Sequence, residues 1–268
     1  MARWISAAAF FLMTCTTPAG ERPTFVVHYY PFTVGLVRTI ARPEPDYMGW
    51  DHERMERDLQ RLADACVDVV MVSVDPYEIR DPGRAEAYLD MVQHASKTSV
   101  EVAFMAEAHD APRQDVDYFL NWCADELLGR RGYHNLDGRP LVEIYDALGA
   151  EDADHPALTV RHTVLAKQWS WGYAADDNVP LSQNGEQAMA FAGFMVNGDK
   201  PHLGFAMERE NGARLERQLK AAIATGAKYI CIASWNDFWE GHFIEPNSLD
   251  GTGPYDTLKR TLCPAKQD

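Results

Sequence analysis

Apolar residues along the chain fall into short continuous runs that alternate with stretches of helical period. Phe25 to Tyr30 (FVVHYY) predicts a strand, and Val67 to Val74 (VDVVMVSV) predicts a second, buried strand ended by Asp75-Pro76. Between them, His52 to Cys66 repeats Met55, Leu59, Leu62 and Ala63 at the spacing of one helix face. Pro82 to Lys97 does the same with Ala85, Tyr88, Leu89, Val92 and Ala95. Val100 to Met105 is the third strand, and Asp115 to Leu128 the next helix. A turn at Asn135-Leu136-Asp137-Gly138 leads into a fourth strand, Pro140 to Tyr145, which ends at Asp146. From Ala147 to Lys200 the pattern weakens: Thr159 to Ala166 and Ala190 to Val196 are the best strand candidates, with a loop-like Trp169-Ser170-Trp171-Gly172-Tyr173 segment between them. Asn211 to Thr225 is a helix stopped by Gly226, Lys228 to Ser234 the last strand, and Pro254 to Leu262 a closing helix.

Strands alternating with helices along one uninterrupted chain predict a parallel sheet covered by helices. Roughly eight strand candidates over about 245 residues suit a (β/α)8 TIM barrel better than an open doubly wound sheet. The expected organisation is a single α/β barrel domain over residues 21–268. HYYPFTVG, after the first strand, carries neither G-x-G-x-x-G nor a P-loop, so dinucleotide and ATP chemistry drop out.

Charge narrows the partners. Against 25 lysines and arginines stand 40 aspartates and glutamates, a net charge of −15 that repels phosphate backbones, so no nucleic-acid partner is expected. Residues 1–20 place Arg3 before an apolar run from Ala7 to Met13 and then small residues, the layout of a secretory signal. That run is too short to span a bilayer. Leu12-Met13-Thr14-Cys15 also resembles a loose lipobox, which would put a lipid anchor on Cys15. The expected location is secreted or periplasmic. The other cysteines, Cys66, Cys123, Cys231 and Cys263, show no zinc-type spacing, and neither metal nor cofactor is expected. Cys66 ends the first helix and Cys263 follows the last, and these helices become neighbours when a barrel closes, so the two thiols are expected to pair.

In a barrel the chemistry sits just after the strands. Those positions hold Tyr29 and Tyr30, Asp75, Glu107, Tyr145 and Asp146, with Trp169 and Trp171 in the loop-like segment. The densest stretch, SWNDFWEGHFIEP, supplies Trp235, Asn236, Asp237, Trp239, Glu240, His242 and Glu245. Acids interleaved with aromatics suit a sugar: rings stack on its C–H faces while carboxylates bond hydroxyls and move protons.

ASWNDFWEGHFIEP resembles the S-[WF]-N-E-W-x-E-G-T-x-I-E-P signature of glycoside hydrolase family 99 and the related WbsX-like polysaccharide proteins. VHYYPF, VAFMAEAH and DGRPLVEIYD resemble that family's Y-Y-x-W/F, V-A-F-H-x-E-P and G-K-P-x-x-x-I-Y-D stretches. The resemblance implies a (β/α)8 fold and a retaining endo-acting α-mannosidase or mannanase. It implies that Glu240 is general acid and base, and that Asp237 removes the proton of the sugar's 2-hydroxyl to give a 1,2-anhydro intermediate. The remaining residues named above are implied to bind the polysaccharide substrate. The family usually has glutamate where this chain has Asp237. The alternatives are an α-1,3-glucan hydrolase and a non-catalytic carbohydrate-binding or polysaccharide-assembly barrel of the WbsX-like kind.

Overall fold

A computed structural model describes residues 22–31, 41–47, 49–109, 111–145, 150–163, 181, 185–194 and 207–263. Strands β1 (Thr24–Tyr29), β2 (Val69–Val74), β3 (Glu101–Glu107), β5 (Arg139–Tyr145), β6 (Thr159–Thr163), β7 (Gln187–Phe191) and β8 (Tyr229–Ala233) pair in parallel. Their order is β6-β5-β3-β2-β1-β8-β7, with the short β4 (Asn135–Leu136) added to β5 as an antiparallel hairpin. The chain's first and last long strands, β1 and β8, lie side by side, as ring closure requires. The architecture is the predicted TIM-barrel type.

Sequence explains most of these elements. β2 is buried along its whole length, which its VVMVSV run anticipates for a strand covered on both faces. Helix α1 (His52–Asp64) is capped by Asp51, whose carboxylate accepts the Arg54 N–H at 2.9 Å, and α2 (Pro82–Ala95) by Asp81 in the same way, with Pro82 in the first turn. Met55, Leu59 and Leu62 form the buried stripe of α1, as their spacing predicts, but Arg54 and Asp58 are buried with them. The turn at Asp137 and Gly138 has both residues left-handed, the geometry a two-residue hairpin needs.

Boundaries move where polar residues take part. β7 begins at Gln187, earlier than the apolar run from Ala190, because the Gln187 amide donates to Glu143 at 3.4 Å instead of facing water. β2 starts at Val69 because Cys66 turns left-handed, the Val67 N–H still closes the end of α1, and the Asp68 carboxylate accepts the Phe25 N–H at 2.8 Å. β3 runs on to Glu107, which carries that acid to the strand's end. The α-helix after β3 is α3 (Arg113–Leu127); α4 (Ala213–Ala224) covers β7 and β8 and packs on α5 (Gly253–Leu262).

Cys66 and Cys263 form a disulfide with Cα atoms 5.6 Å apart, the pairing expected from the sequence. It joins the end of α1 to the end of α5 across 197 residues. Cys123 and Cys231 are buried free thiols. Among the described residues no helix is long and apolar enough to cross a membrane. The leader with Cys15 lies outside the described residues.

Candidate active site

Parallel register carries the strand ends to one side of the barrel: Val74 pairs with Ala106, Glu107 with Tyr145, and Tyr29 with Val72. After β8 the chain makes a very short antiparallel hairpin, β9 (Asn236–Asp237) and β10 (His242–Phe243), in which Asp237 pairs with His242 and Asn236 with Phe243. Asp237 Oδ1 accepts the Glu240 N–H at 2.8 Å and so closes the hairpin loop from inside. The three-residue spacing between the two acids is the spacing of that turn.

Ser234 organises the other side. Its N–H and its hydroxyl both donate to the His242 carbonyl, at 3.0 and 2.6 Å, and its Oγ accepts the Asp237 N–H at 2.9 Å. The hydroxyl proton is therefore spent, and the 3.2 Å contact between Ser234 Oγ and His242 Nδ1 requires the ring to donate. The other nitrogen, Nε2, faces Glu240 Oε2 at 3.2 Å and Asp237 Oδ2 at 3.4 Å, two acceptors that call for a proton there as well. Burial alone would lower the His242 pKa, but Asp237 and then Glu240 outweigh it and the shift is upward. His242 is thus an imidazolium held between the two acids. Buried His28, pushed down to about 4 by desolvation and then by His242, stays neutral beneath it. One nitrogen and two carboxylate oxygens of this trio lie within 4.8 Å of one another, but with a proton on each ring nitrogen His242 has no lone pair for a cation.

The hairpin is braced from behind. Arg209 donates to the Gly241 carbonyl at 3.0 Å and the Phe243 carbonyl at 2.7 Å, and its Nε pairs with Asp250 at 2.6 Å. Phe194 stacks on the His242 ring at 5.8 Å. Only glycine fits at 193, where φ is +149° and a methyl would stand 2.5 Å from Arg209 Cγ.

Across from the hairpin, Glu107 takes a hydrogen bond from Ser73 Oγ at 2.7 Å. Its pKa is pushed up to about 7 by burial, against the Ser73 bond and with help from Asp75, Asp237 and Glu240. Tyr30 is raised by burial and then by Glu107, Asp237, Glu240 and Tyr145. Asp75, partly buried, is raised by burial and by Glu78. Tyr30 feels Glu107, Asp237, Glu240 and Tyr145, and Glu107 feels Asp75, Asp237 and Glu240, so these side chains share one neighbourhood at the strand ends. Trp239 stands partly exposed on the hairpin. Asp146, Trp169 and Trp171 lie outside the described residues.

Other predicted contact residues have different places. Tyr29, Trp235 and Glu245 are buried behind the cluster, where protein atoms cover them. The Tyr29 hydroxyl donates to Asp58 at 3.1 Å, and Glu245 accepts the Tyr47 hydroxyl at 2.7 Å. Arg54 lies between them, 3.3 Å from Asp58 and 3.7 Å over the Tyr47 ring. Asn236 is buried too, exchanging hydrogen bonds at 2.8 Å with the backbone of Tyr30 and so fixing where that tyrosine stands. The sequence reading overlooked Ser73, Ser234, His28, Tyr47, Arg54, Asp58 and Arg209. His242 falls where the signature that this segment resembles has threonine.

The chain is thus a parallel barrel with acids and tyrosines gathered at its C-terminal strand ends. Among solved structures the chain is similar to the GH99 endo-alpha-mannosidase from Bacteroides thetaiotaomicron, with a TM-score of 0.68 and 18% identity over 89% of this chain and 95% of that one. A second structure of that enzyme gives 0.67 and 17% over the same shares. A glycoside hydrolase-like protein gives 0.63 and 12%, covering 92% of this chain and 95% of its own. At these identities the likeness is one of fold. No family model and no curated protein matches the chain.

Proposed function

We propose that the chain is an exported retaining endo-glycosidase that hydrolyses an α-linked polysaccharide of the mannan type. The observation that carries this reading is the pairing of Asp237 and Glu240 on one tight turn, with Glu107 and Tyr30 facing them. Glu240, with its side chain 30% exposed, is the acid that a glycosidic oxygen can reach. In the first step Asp237 takes the proton of the sugar's 2-hydroxyl, that oxygen closes on C1, and Glu240 protonates the departing oxygen. Water then opens the three-membered ring at C1, Glu240 takes its proton, and Asp237 returns the other to the 2-oxygen. His242, an imidazolium against both acids, orients them and offsets the charge of Asp237. A cytoplasmic cysteine pair would stay reduced, so the Cys66–Cys263 bridge supports the export suggested by the leader.

Glu240→Gln should cut turnover on a natural α-linked mannan by about a thousandfold, within the range that acid–base catalysis supplies, and cost much less on substrates with a good leaving group. Reducing-end release and an aryl glycoside measure the two arms. Equal losses on both substrates would remove Glu240 from the acid's role.

One observation favours the carbohydrate-binding alternative. Both carboxylate oxygens of Asp237 are engaged, Oδ1 by the Glu240 N–H and Oδ2 by His242. A chain that binds a mannan or glucan without releasing reducing ends is a binding barrel.

A further inference from the structure

We propose that the seam between α1 and α2 is a divalent-metal site of the zinc class, with His52, Glu56 and His94 as ligands and Asp90 beside them. His52 and Glu56 stand four residues apart on α1, and Asp90 and His94 four apart on α2, so each pair presents one helix face to the other. The imidazoles of His52 and His94 meet edge to face, with ring centres 4.6 Å apart. Ligand atoms of His52, Glu56 and His94 all lie within 4.8 Å of one another, and His52 Nδ1 is 3.9 Å from Asp90 Oδ2.

The hydrogen bonds of His94 point to a positive species at this place. Its Nδ1 is 2.9 Å from the Asp90 carbonyl, an oxygen that can only accept, so the ring proton is on Nδ1. That leaves the Nε2 lone pair aimed at Glu56 Oε1, 2.6 Å away. Two acceptors approach so closely only with a proton or a metal cation between them. An imidazole whose far nitrogen is anchored on a backbone carbonyl is the arrangement that orients metal-binding histidines. His94 is largely buried, whereas His52 and Glu56 are half exposed and can swing the short distance to bonds of about 2.0–2.2 Å. Two imidazoles with carboxylates favour Zn²⁺, Ni²⁺ or Cu²⁺ over Mg²⁺ and Ca²⁺. The site would have a mechanical consequence. The disulfide ties the C-terminal end of α1 to α5, and a metal on its first two turns would tie the other end to α2.

The test is calorimetric titration of ZnCl2 into the chelator-stripped full chain, with thermal melts alongside. One site of roughly micromolar or tighter affinity is expected, with a saturable rise in melting temperature. His94→Ala and Glu56→Gln should each weaken binding at least tenfold. His52→Ala, a change at an exposed position that leaves the fold intact, should do the same and abolish the melting shift. His242→Gln distinguishes this seam from the acid trio and should leave Zn²⁺ binding unchanged. Millimolar binding, binding untouched by His52→Ala, binding lost in His242→Gln, or equal affinity for Mg²⁺ would each overturn the proposal and leave a proton-bridged His94–Glu56 ion pair.

Discussion

Two clusters in this barrel have the same ingredients, two carboxylates around one cationic side chain, and opposite characters. Beneath the strand ends, Arg54 lies with Asp58 and Glu245, all essentially without solvent. Above, His242 lies with Asp237 and Glu240, of which Glu240 is the most open to water. Arg54 is permanently charged, and its donors are taken up by Asp58 and by the carbonyls of Tyr30, Pro31 and Gly49 at 3.0–3.3 Å. It therefore fixes the segment after β1 to α1 and has no proton to exchange. His242 can lose its proton, and the acids around it border the open end. Under the proposed function, exposure and the identity of the cation separate scaffold from chemistry. Glu240 and Glu245, five residues apart in one motif, fall on opposite sides of that division.

The largest effect expected from breaking this contrast is at the lower cluster. Arg54→Met leaves Asp58 buried without the cation that acts on it most strongly and should destabilise the fold by about 3–5 kcal/mol, read by urea unfolding. A loss under about 1 kcal/mol would mean that Asp58 is neutral without Arg54. The upper cluster should respond through rate. Asp237→Glu lengthens the side chain whose Oδ1 closes the turn on the Glu240 N–H, so it should displace both acids and lower turnover by about a hundredfold with little change in melting. Increased turnover would show instead that the shorter residue is a handicap the hairpin has not absorbed.

His242→Gln should have a smaller effect, roughly tenfold in rate, because the acids remain and lose only the charge between them. Its signature is in pH. The His242 pKa is raised in the fold, so the stability it contributes is fully present below its unfolded value of about 6.5 and is lost as pH rises through the folded value. The melting difference between wild type and His242→Gln should therefore shrink as pH rises, and a difference independent of pH would show that His242 is neutral.

The barrel was legible because its strands are continuous apolar runs and its helices keep a clean period; Met55, Leu59 and Leu62 read directly as a buried stripe. The motif acids were legible because they fall at a strand's end. The division of labour among them was not. Burial of Glu245 depends on Tyr47 and Arg54, which reach it from residues 198 and 191 positions away in the chain, and no local pattern marks a carboxylate for such partners. Arg54 and Asp58 fall next to the apolar positions of α1, where the helical period gives no cue that charged side chains turn inward. Trp235 misled for a related reason: an aromatic beside acids reads as a sugar platform, whereas here it fills the core and meets Tyr255 edge to face at 6.0 Å.

The smallest expected effect tests the lower cluster most finely. Burial first, and then the charge of Asp58, holds the Glu245 pKa well above that of an ordinary carboxylate, and among the described residues its Oε1 has no hydrogen-bond partner. Both facts fit a carboxyl that keeps its proton in the fold. Glu245→Gln preserves shape and an acceptor for the Tyr47 hydroxyl, so near pH 5 its stability should match wild type within about 1 kcal/mol. Above the unfolded value of about 4.3 the unfolded chain releases this proton while the folded one retains it, so the wild type loses stability as pH rises toward the folded pKa. The glutamine variant has no such group. Melting curves from pH 4 to 8 should therefore diverge, with Glu245→Gln increasingly the more stable. If the two curves stay parallel, Glu245 is ionised in the fold, and Arg54 then balances two charges below as His242 does above.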